Sequence, residues 1–514
     1  MSQVRIDALA PVGNLFLTVP STENTKTLRE ALDLLGRCPE ILKRIDADQN
    51  KAARQAKKER LEERQWQAAR TPSLPGLPVR RDEIDADQLR LSDGRPRLPG
   101  DVTYVFVVMR GEHGSVTDGG AVERLLDSVT MRVWLANRNL KTPGVTTVLE
   151  NVNAVSNETR EFILDAQLGM VLADGLDDFA RLILDSTAVE ANSAWPTDSG
   201  MLYGLLTRAY HCMGQLPKLG MPEIGPWWCA RWQVEMKSLV FRINTAKTKG
   251  NRRKLYRRLL HRSAKWSGYL RVQYQEVLLP ASGRLELAPR LRRRLDGLLE
   301  RIGTDLENAG RVQEYTAQRI LKEKTVASTD KVLSLADTDA CFIQKGNREA
   351  VLGYKPQLAR SGNGFVTAMG LSAGNTADAP ELVPLVLESL VHTTVLPERV
   401  TTDDGYTSRK NREALQALGV KEIVFSGAKG KKITPAGEWE SEIAVQARNS
   451  RSAVESLMFT LKFVYNFGCL RRRGLEAVRA ELLEKVIAYN FRRMSQVREA
   501  LAEAERQKTL AKVA

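Results

Sequence analysis

The chain has 514 residues, a length typical of about two to four domains or of one large domain with insertions. Hydrophobic residues make up 43% and charged residues 27%, which excludes a fully disordered chain. The formal net charge of +15 favours a polyanionic partner such as nucleic acid. No apolar stretch approaches the roughly 20 residues of a membrane helix, and the N-terminus lacks a signal-peptide pattern. We therefore expect a cytoplasmic protein without a membrane partner.

The first part of the chain is predicted to be mainly helical. Residues 1–70 form a predicted N-terminal helical region, and residues 71–100 are rich in Pro, Gly and Asp, which indicates a linker. Residues 101–175 are predicted to be a further helical domain. Its segments on either side of the turn at Pro143 and Gly144 fit a DNA-binding helix-turn-helix. They fit equally well helices that only pack.

A basic, mainly helical segment is predicted at about residues 200–330. Its dense run of cations from Lys247 to Trp266 is either a solvated helix face or a surface for DNA, which carries one phosphate charge per about 1.7 Å of duplex axis. Trp227, Trp228 and Trp232 are expected either to pack in a helical core or to stack on unpaired bases. The cations of the run that we select as candidate DNA contacts are Arg252, Arg253, Lys254, Arg257 and Arg258.

After residue 330 the pattern changes to alternating strands and helices. Strands are predicted at 364–373, at 399–402 and around 421–427, and helices follow each of them, the last one from 448 to 465. Such alternation predicts an α/β fold whose sheet contains parallel strands with right-handed crossovers.

Two acidic residues end predicted strands, and a third lies on the last helix. Asp185 follows an apolar run and Asp403 follows the strand at 399–402. In sheets with parallel strands, ligands bind beyond the carboxyl ends of the strands. Glu455 shares a helix face with Arg451 and Lys462, which lie about one and two turns away from it. Carboxylates without histidine or thiolate partners form the hard oxygen site that Mg²⁺ or Mn²⁺ prefers.

Each of these acids also has an ordinary structural interpretation. Asp185 is followed by Ser and Thr, and such residues often cap turns. The Asp403-Asp404-Gly405 sequence is a strong turn signal. Arg451 and Glu455 are spaced as a helical ion pair. The combination of three acids at positions that one metal site requires is what favours a catalytic role.

These residues stand in sequence blocks that resemble bacterial insertion-sequence transposases of the DDE class. The blocks are LDSTAVEANSAWPTDS, VTTDDGYTSRKNREALQALGV and RNSRSAVESLMFTLK, each containing one of the acids. The phrases GYKPQL, GNTAD and AYNFRRM are similar to phrases of the same transposases. Arg451, Glu455 and Lys462 match the family's Tyr-x2-Arg-x3-Glu-x6-Lys signature, but Arg448 stands where that signature has tyrosine. This departure puts only the role of the tyrosine in doubt.

The resemblance implies a ribonuclease H-like catalytic domain, an α/β core with a mixed sheet flanked by helices, over residues 176–495. The helical segment at about 200–330 would be an insertion in it, and residues 496–514 a C-terminal helical tail. Asp185, Asp403 and Glu455 would be the catalytic and metal-binding residues for Mg²⁺ or Mn²⁺, as two ions. Arg451, Lys462 and Arg448 would contact DNA.

Another acidic pair competes for the place of the first catalytic acid. The segment VLSLADTDA also runs an apolar stretch, predicted as a strand, into Asp337 and Asp339, directly before the other strands of the predicted core. We prefer Asp185 because its Asp-Ser-Thr context resembles the first catalytic block of the family.

The resemblance implies an enzyme that binds the terminal inverted repeats of its insertion sequence, cleaves DNA with a metal ion and transfers the 3′-hydroxyl end to target DNA. A homodimer in the complex with DNA is expected, because two ends must be joined, and the protein would act on the bacterial nucleoid. Two alternatives remain open. One is a catalytically silent DNA-binding regulator or domesticated derivative, and the other is a stand-alone nuclease.

Overall fold

The computed structural model describes residues 23–70, 97–112, 117–224, 227–327, 330–344 and 349–513. Most of the predicted linker at 71–100 lies outside the described residues. The described residues form two compact units: unit 1 comprises those within 23–51, 97–192 and 339–513, and unit 2 comprises those within 52–70 and 193–338. Unit 1 thus groups the helical segment at 101–175 with the sheet, although the sequence pattern predicts two separate domains.

The N-terminal part of unit 1 is helical. The apolar helix that begins at Gly100 is buried along almost its whole length, because it packs against the C-terminal helix of the chain. Thr117 and Ser156 cap the helices that follow them by accepting a backbone N–H with their hydroxyl groups. The helices of this part are α1 (Glu23–Arg37), α2 (Glu40–Arg70, which continues into unit 2), α3 (Gly100–Glu112), α4 (Asp118–Asp127), α5 (Val129–Asn137), α6 (Val145–Ala154) and α7 (Asn157–Ala173).

A mixed sheet forms the centre of unit 1. In the described part of the chain it has five strands in the order β6-β5-β1-β7-β8. Strand β1 pairs antiparallel with β5 and parallel with β7, β5 pairs antiparallel with β6, and β7 pairs parallel with β8. The strands are β1 (Arg181–Ser186), β5 (Gln357–Ser361), β6 (Val366–Gly370), β7 (Arg399–Thr402) and β8 (Glu422–Phe425).

Helices flank this sheet, and one of its faces carries a hydrophobic core. Leu182, Leu184 and Val400 pack there with Leu382 and Leu385. The helices that follow the strands are α13 (Asp378–Thr393), α14 (Arg409–Leu418), α15 (Ala428–Ile433), α16 (Ala436–Trp439), α17 (Glu442–Ser450), α18 (Ser452–Val464) and α19 (Leu475–Val513). The prediction of a mixed sheet flanked by helices is therefore confirmed.

The last predicted helix differs from the structure, and a small sheet was not predicted. The helix predicted from 448 to 465 is two helices, α17 and α18, which meet at Arg451. The hydroxyl groups of Ser450 and Ser452 donate to the carbonyl oxygens of Ala447 and Asn449, and such bonds compete with a continuous helix. A small sheet of β2 (Val189–Glu190), β3 (Cys341–Ile343) and β4 (Val351–Tyr354) was not predicted.

Unit 2 is helical and has a hydrophobic core of its own. Trp266 and Leu270 are buried there together with Leu202, Leu206 and Leu306. Its helices are α8 (Asp198–Met213), α9 (Trp227–Asn244), α10 (Lys249–Val272), α11 (Leu279–Arg284) and α12 (Pro289–Thr316). In the described ranges of both units, no helix is both long enough and apolar enough to cross a bilayer.

A buried group of charges ties the helices of unit 1 together. Glu484 on α19 is fully buried and receives hydrogen bonds from Arg110 on α3, at 2.6 and 3.0 Å, and from Arg160 on α7, at 2.9 Å. Burial alone would raise the pKa of Glu484, but the charges of Arg110, Arg472 and Arg160 outweigh it and hold this pKa far below its ordinary value. The C-terminal helix is thereby fixed to the helices that precede the sheet.

Candidate active site

Asp185 and Asp403 lie at the carboxyl ends of two neighbouring parallel strands. Ile183 is the register partner of Thr401, so Asp185 and Asp403, two residues further on, lie at the same level of the sheet. Neighbouring strands are about 4.8 Å apart. Leu184 belongs to the hydrophobic core, and alternation along the strand directs Asp185 to the opposite face. The sheet thus places the two carboxylates side by side at the carboxyl ends of β1 and β7.

The Asp185 side chain is mostly buried, at 14% exposure, and faces the guanidinium of Arg451, the residue between α17 and α18. Its Oδ1 accepts a hydrogen bond from the backbone N–H of Ser186 at 2.7 Å. Its Oδ2 lies 3.8 Å from Nη1 of Arg451. Asp185 and Ser186 both belong to strand β1, so this bond does not form the capped turn that the sequence left as an alternative.

The structure distinguishes Asp403 from its neighbour Asp404. Oδ1 of Asp403 accepts the N–H of Gly405 at 2.9 Å, which shapes the turn after β7. The carboxylate of Asp404 instead accepts the backbone N–H groups of Lys429 and Gly430, at 3.1 and 3.0 Å, at the start of α15. Asp404 thus stabilises a helix N-terminus, and Asp403 is the acid aligned with Asp185.

Glu455 lies in the first turn of α18 and is linked to Asp185 through one guanidinium. Nη2 of Arg451 is 2.9 Å from Oε1 of Glu455, while Nη1 of the same group faces Asp185. The Glu455 side chain is 61% exposed, so a change of rotamer meets little resistance. The structure therefore brings the first and third predicted acids to opposite sides of a single cation.

The other two candidate cations of this segment, Arg448 and Lys462, lie on α17 and α18. Lys462 is two turns beyond Glu455 on α18, and its stem lies alongside Gly468. Arg448, on α17, stacks its guanidinium 4.1 Å above the centre of the Trp439 ring and donates to the Trp439 carbonyl oxygen at 2.8 Å. Arg448 is thus held in place by Trp439.

The donor chemistry of this site fits a hard divalent cation. Asp185, Asp403 and Glu455 supply carboxylate oxygens alone, and a guanidinium already lies between two of them, which shows that the position attracts positive charge. Among the described residues, no three His, Cys, Asp or Glu side chains already form a metal-binding group. The sheet already places the carboxylates of Asp185 and Asp403 side by side, whereas the exposed side chain of Glu455 would have to change rotamer to reach them.

A buried polar network, which the sequence analysis missed, adjoins the Asp403 turn. The ammonium of Lys355 lies 2.8 Å from Oδ1 of Asp378, and Nε2 of Gln357 donates to the same oxygen at 2.9 Å. The hydroxyl of Tyr406 donates to Oε1 of Gln357. The phrases GYKPQL and GNTAD contain three of these residues, so the resemblance of those phrases was the available signal.

The ionisation of this network is settled by burial and by its hydrogen bonds. Burial raises the pKa of Tyr406, and the carboxylates of Asp378, Asp185 and Asp403 raise it further, so Tyr406 keeps its proton and donates. Burial alone would raise the pKa of Asp378, but the hydrogen bonds from Lys355 and Gln357 outweigh it and hold this pKa below its ordinary value. Asp378 is therefore a carboxylate.

Asp337 and Asp339, the alternative candidates for the first catalytic acid, do not follow a strand. Residues 332–336 form turns and irregular structure, because the hydroxyl of Ser334 accepts the backbone N–H groups of Ala336 and Asp337 at 3.1 and 2.9 Å. Asp337 is buried. Oδ2 of Asp339 accepts the backbone N–H of Leu475 at 2.8 Å and so caps α19. The strand predicted before these acids was wrong.

In unit 2, the candidate DNA-binding cations lie on α10. Lys254, Arg257 and Arg258 are exposed on it, and so is Arg252, which also donates to the Ala246 carbonyl oxygen at 3.1 Å. Arg253 is half-buried; it donates to the carbonyl oxygen of Leu321 and pairs with Glu323. Trp232 packs against the core of unit 2, whereas the side chains of Trp227 and Trp228 lie outside the described part.

Comparison with known proteins identifies part of the chain. Residues 330–491 match the family model of the transposase DDE domain. This range contains Asp403, Glu455 and the signature cations, and it begins after Asp185. No curated protein and no solved structure matches the chain. Residues 330–491 are therefore a transposase DDE domain, and the resemblance to DDE transposases that the sequence indicated is confirmed at this level.

Proposed function

We propose that this protein is an insertion-sequence transposase with a ribonuclease H-like catalytic core over residues 176–495. It binds the terminal inverted repeats of its element, cleaves there and joins the 3′-hydroxyl ends to target DNA. The alignment of Asp185 and Asp403 on adjacent parallel strands, with Arg451 linking Asp185 to Glu455, is the observation that supports this function best. The strand order β6-β5-β1-β7-β8, with β1 central, supports the proposed core.

Asp185, Asp403 and Glu455 would hold Mg²⁺ or Mn²⁺, as two ions. Such ions lower the pKa of a bound water or 3′-hydroxyl and stabilise the leaving oxygen of a phosphodiester. The chain's own part is to orient DNA. Arg451 can bind a phosphate in a bidentate manner once it leaves the two acids, while Lys462 and Arg448 provide further positive charge.

Binding of the DNA ends would involve other surfaces of the chain. The exposed cations of α10 suit contacts with phosphates, because their side chains lie on a solvated helix face. Helices α4, α5 and α6 correspond to the segments that fit a helix-turn-helix. We further propose a homodimer on DNA, since two element ends are joined in one event, and activity at the nucleoid in the bacterial cytoplasm.

A strand-transfer assay with DNA taken from both flanks of the gene tests this function. The parent protein should join pre-cleaved ends to a target plasmid in Mg²⁺ or Mn²⁺ but not in EDTA. Asp403→Asn should lower joining by about a hundredfold or more, because it removes a carboxylate from the cation site. Asp404→Asn is the matched control and should retain joining. Equal joining by the parent and Asp403→Asn contradicts the assignment, and cutting without joining indicates a nuclease.

A further inference from the structure

The buried network beside the Asp403 turn has a geometry that suits a role in catalysis. Lys355 donates to the Thr376 carbonyl oxygen at 3.0 Å and to Asp378 at 2.8 Å. Asp378 accepts from Gln357, and Gln357 accepts from the hydroxyl of Tyr406. Lys355, Gln357 and Tyr406 are all buried. A continuous series of polar contacts thus runs from the start of α13 to the turn that follows β7.

This network meets the proposed cation site at Gly405, which lies between Asp403 and Tyr406. A Cβ atom at Gly405 would lie 2.8 Å from Oδ2 of Asp378 and 3.0 Å from Oδ1 of Asp403. Both carboxylates therefore border the same point of the backbone, and a side chain at Gly405 would have to displace one of them. One oxygen of Asp378 is committed to Lys355 and Gln357, while the other faces the turn that carries Asp403.

The network also reaches the strand of the first acid. Gln357 is the register partner of Ser186, the residue directly after Asp185. The N–H of Thr187 donates to the Pro356 carbonyl oxygen at 3.0 Å, between Lys355 and Gln357. The segment at 355–357 is therefore bonded to the end of β1 and, through Tyr406, to the turn after β7.

We propose that Asp378 is a positioning residue for the cation site. Supported by Lys355, it holds Gln357 and Tyr406 so that the Asp403 turn keeps its carboxylate beside that of Asp185. This inference rests on the proposed function, because it assigns to Asp403 the role of a metal ligand. The ion pair with Lys355 balances the charge of Asp378, so Asp378 acts through the turn and is distinct from the three catalytic acids.

Mn²⁺ binding, followed by the electron paramagnetic resonance signal of the free ion, tests this role without relying on catalysis. Asp378→Asn and Tyr406→Phe should each weaken Mn²⁺ binding about tenfold, which is the lower range for residues that orient metal ligands. Joining should fall at low Mn²⁺ and recover at high Mn²⁺, because the ligands themselves remain. Tyr406→Phe removes a single hydroxyl group, so it keeps the test valid if Asp378→Asn fails to fold.

Asp177 and Tyr489 provide two control variants, because they contact the end of β5 and the turn that follows it, away from the carboxyl ends of β1 and β7. Asp177→Asn removes a buried carboxylate that accepts the hydroxyl of Ser361 and the N–H of Asn363, both at 2.7 Å. Tyr489→Phe removes a hydroxyl that donates to the Gly364 carbonyl oxygen at 2.8 Å. Both controls should bind Mn²⁺ as the parent does, even where they lower thermal stability.

The outcomes separate this inference from the proposed function. If the parent binds Mn²⁺ and folded Tyr406→Phe and Asp378→Asn bind it equally well, the positioning role is wrong and the transposase assignment stands. If Asp177→Asn and Tyr489→Phe weaken Mn²⁺ binding to the same extent, the effect is one of general stability and the positioning role is again wrong. If the parent binds no Mn²⁺, with or without DNA, both proposals fail.

Discussion

Unit 1 contains two groups of acids that differ in how their charge is balanced. Glu484 is fully buried and surrounded by the guanidinium groups of Arg110, Arg160 and Arg472. Asp185 and Glu455 share one guanidinium, that of Arg451, and Glu455 is largely exposed. A fully buried carboxylate needs charged partners, so the arginines around Glu484 serve stability. Asp185 and Glu455 have a single, partly exposed guanidinium between them, which suits replacement by another cation.

Replacing a glutamate by glutamine should lower stability in the first group and strand transfer in the second. Glu484→Gln leaves buried arginines without their counter-charge and should lower the free energy of unfolding by about 3–5 kcal/mol. Glu455→Gln should leave this free energy nearly unchanged, because an exposed helical ion pair contributes only a few tenths of a kcal/mol. It should instead lower strand transfer by about a hundredfold.

Urea unfolding and strand transfer, measured on both variants, check this contrast. A Glu455→Gln protein that is as unstable as Glu484→Gln would show that α18 depends on its ion pair for folding. A Glu484→Gln protein with the stability of the parent would show that the buried arginines find other partners, and the comparison between the two groups would no longer hold.

A third ion-pair group of unit 1, that of His392 with Asp165 and Glu388, should make the stability depend on pH. Burial alone would lower the pKa of His392, but hydrogen bonds and charge from Asp165 and Glu388 raise it to about 9. Since this pKa is higher in the folded state, the stabilisation is complete below about pH 6.5 and is lost as the pH rises through about 9. The parent should therefore lose about 2–3 kcal/mol of unfolding free energy over this interval relative to His392→Gln.

Chemical unfolding at several pH values, with the variant as reference, measures this difference directly. The difference between parent and variant should be largest at about pH 6 and close to zero at about pH 10. A difference that is constant over this range would mean that His392 is neutral in the folded protein and contributes by packing alone.

The exposed cations of α10 are expected to have the smallest effect. Replacing Lys254, Arg257 and Arg258 by Ala should weaken DNA binding about tenfold at moderate salt. It should also reduce the slope of log K against log salt by about two to three, close to one for each phosphate that the variant no longer neutralises. Arg292→Ala/Arg293→Ala is the control, because these guanidinium groups already bind Asp296 and Glu62.

Fluorescence anisotropy over a salt series tests this prediction. An unchanged salt slope in the triple variant would mean that α10 is a solvated helix face and that DNA binds elsewhere. A control variant with the same decrease in affinity would indicate a general effect of net charge on binding.

The sequence predicted the parts of the fold that depend on local patterns. The strand at 399–402 and the helix after it were predicted from apolar spacing and turn residues, and both are present. The placement of Asp403 at the end of its strand followed from the same signals. These features depend on residues that are close together in the sequence, so a local sequence pattern is enough to predict them.

Features that depend on contacts between distant segments were missed. Strand β5 begins at Gln357, whose polar side chain is buried only because Asp378 and Tyr406 bind it. The apolar residues at 332–336 gave a false strand, because the hydroxyl of Ser334 binds the backbone in a turn. Neither outcome can be read from hydrophobic alternation, since both depend on specific hydrogen bonds.

We propose that Asp185, at the end of β1, belongs to the active site, although it precedes the matched DDE segment. Strand transfer by Asp185→Asn beside Asp337→Asn, each corrected for the folded fraction, tests it most directly. We expect Asp185→Asn to join DNA ends about a hundredfold less than the parent, or to fail entirely, while folded Asp337→Asn joins at the parent's rate. Normal joining by Asp185→Asn, with loss of joining in Asp337→Asn, would show that Asp337, and not Asp185, is the first catalytic acid.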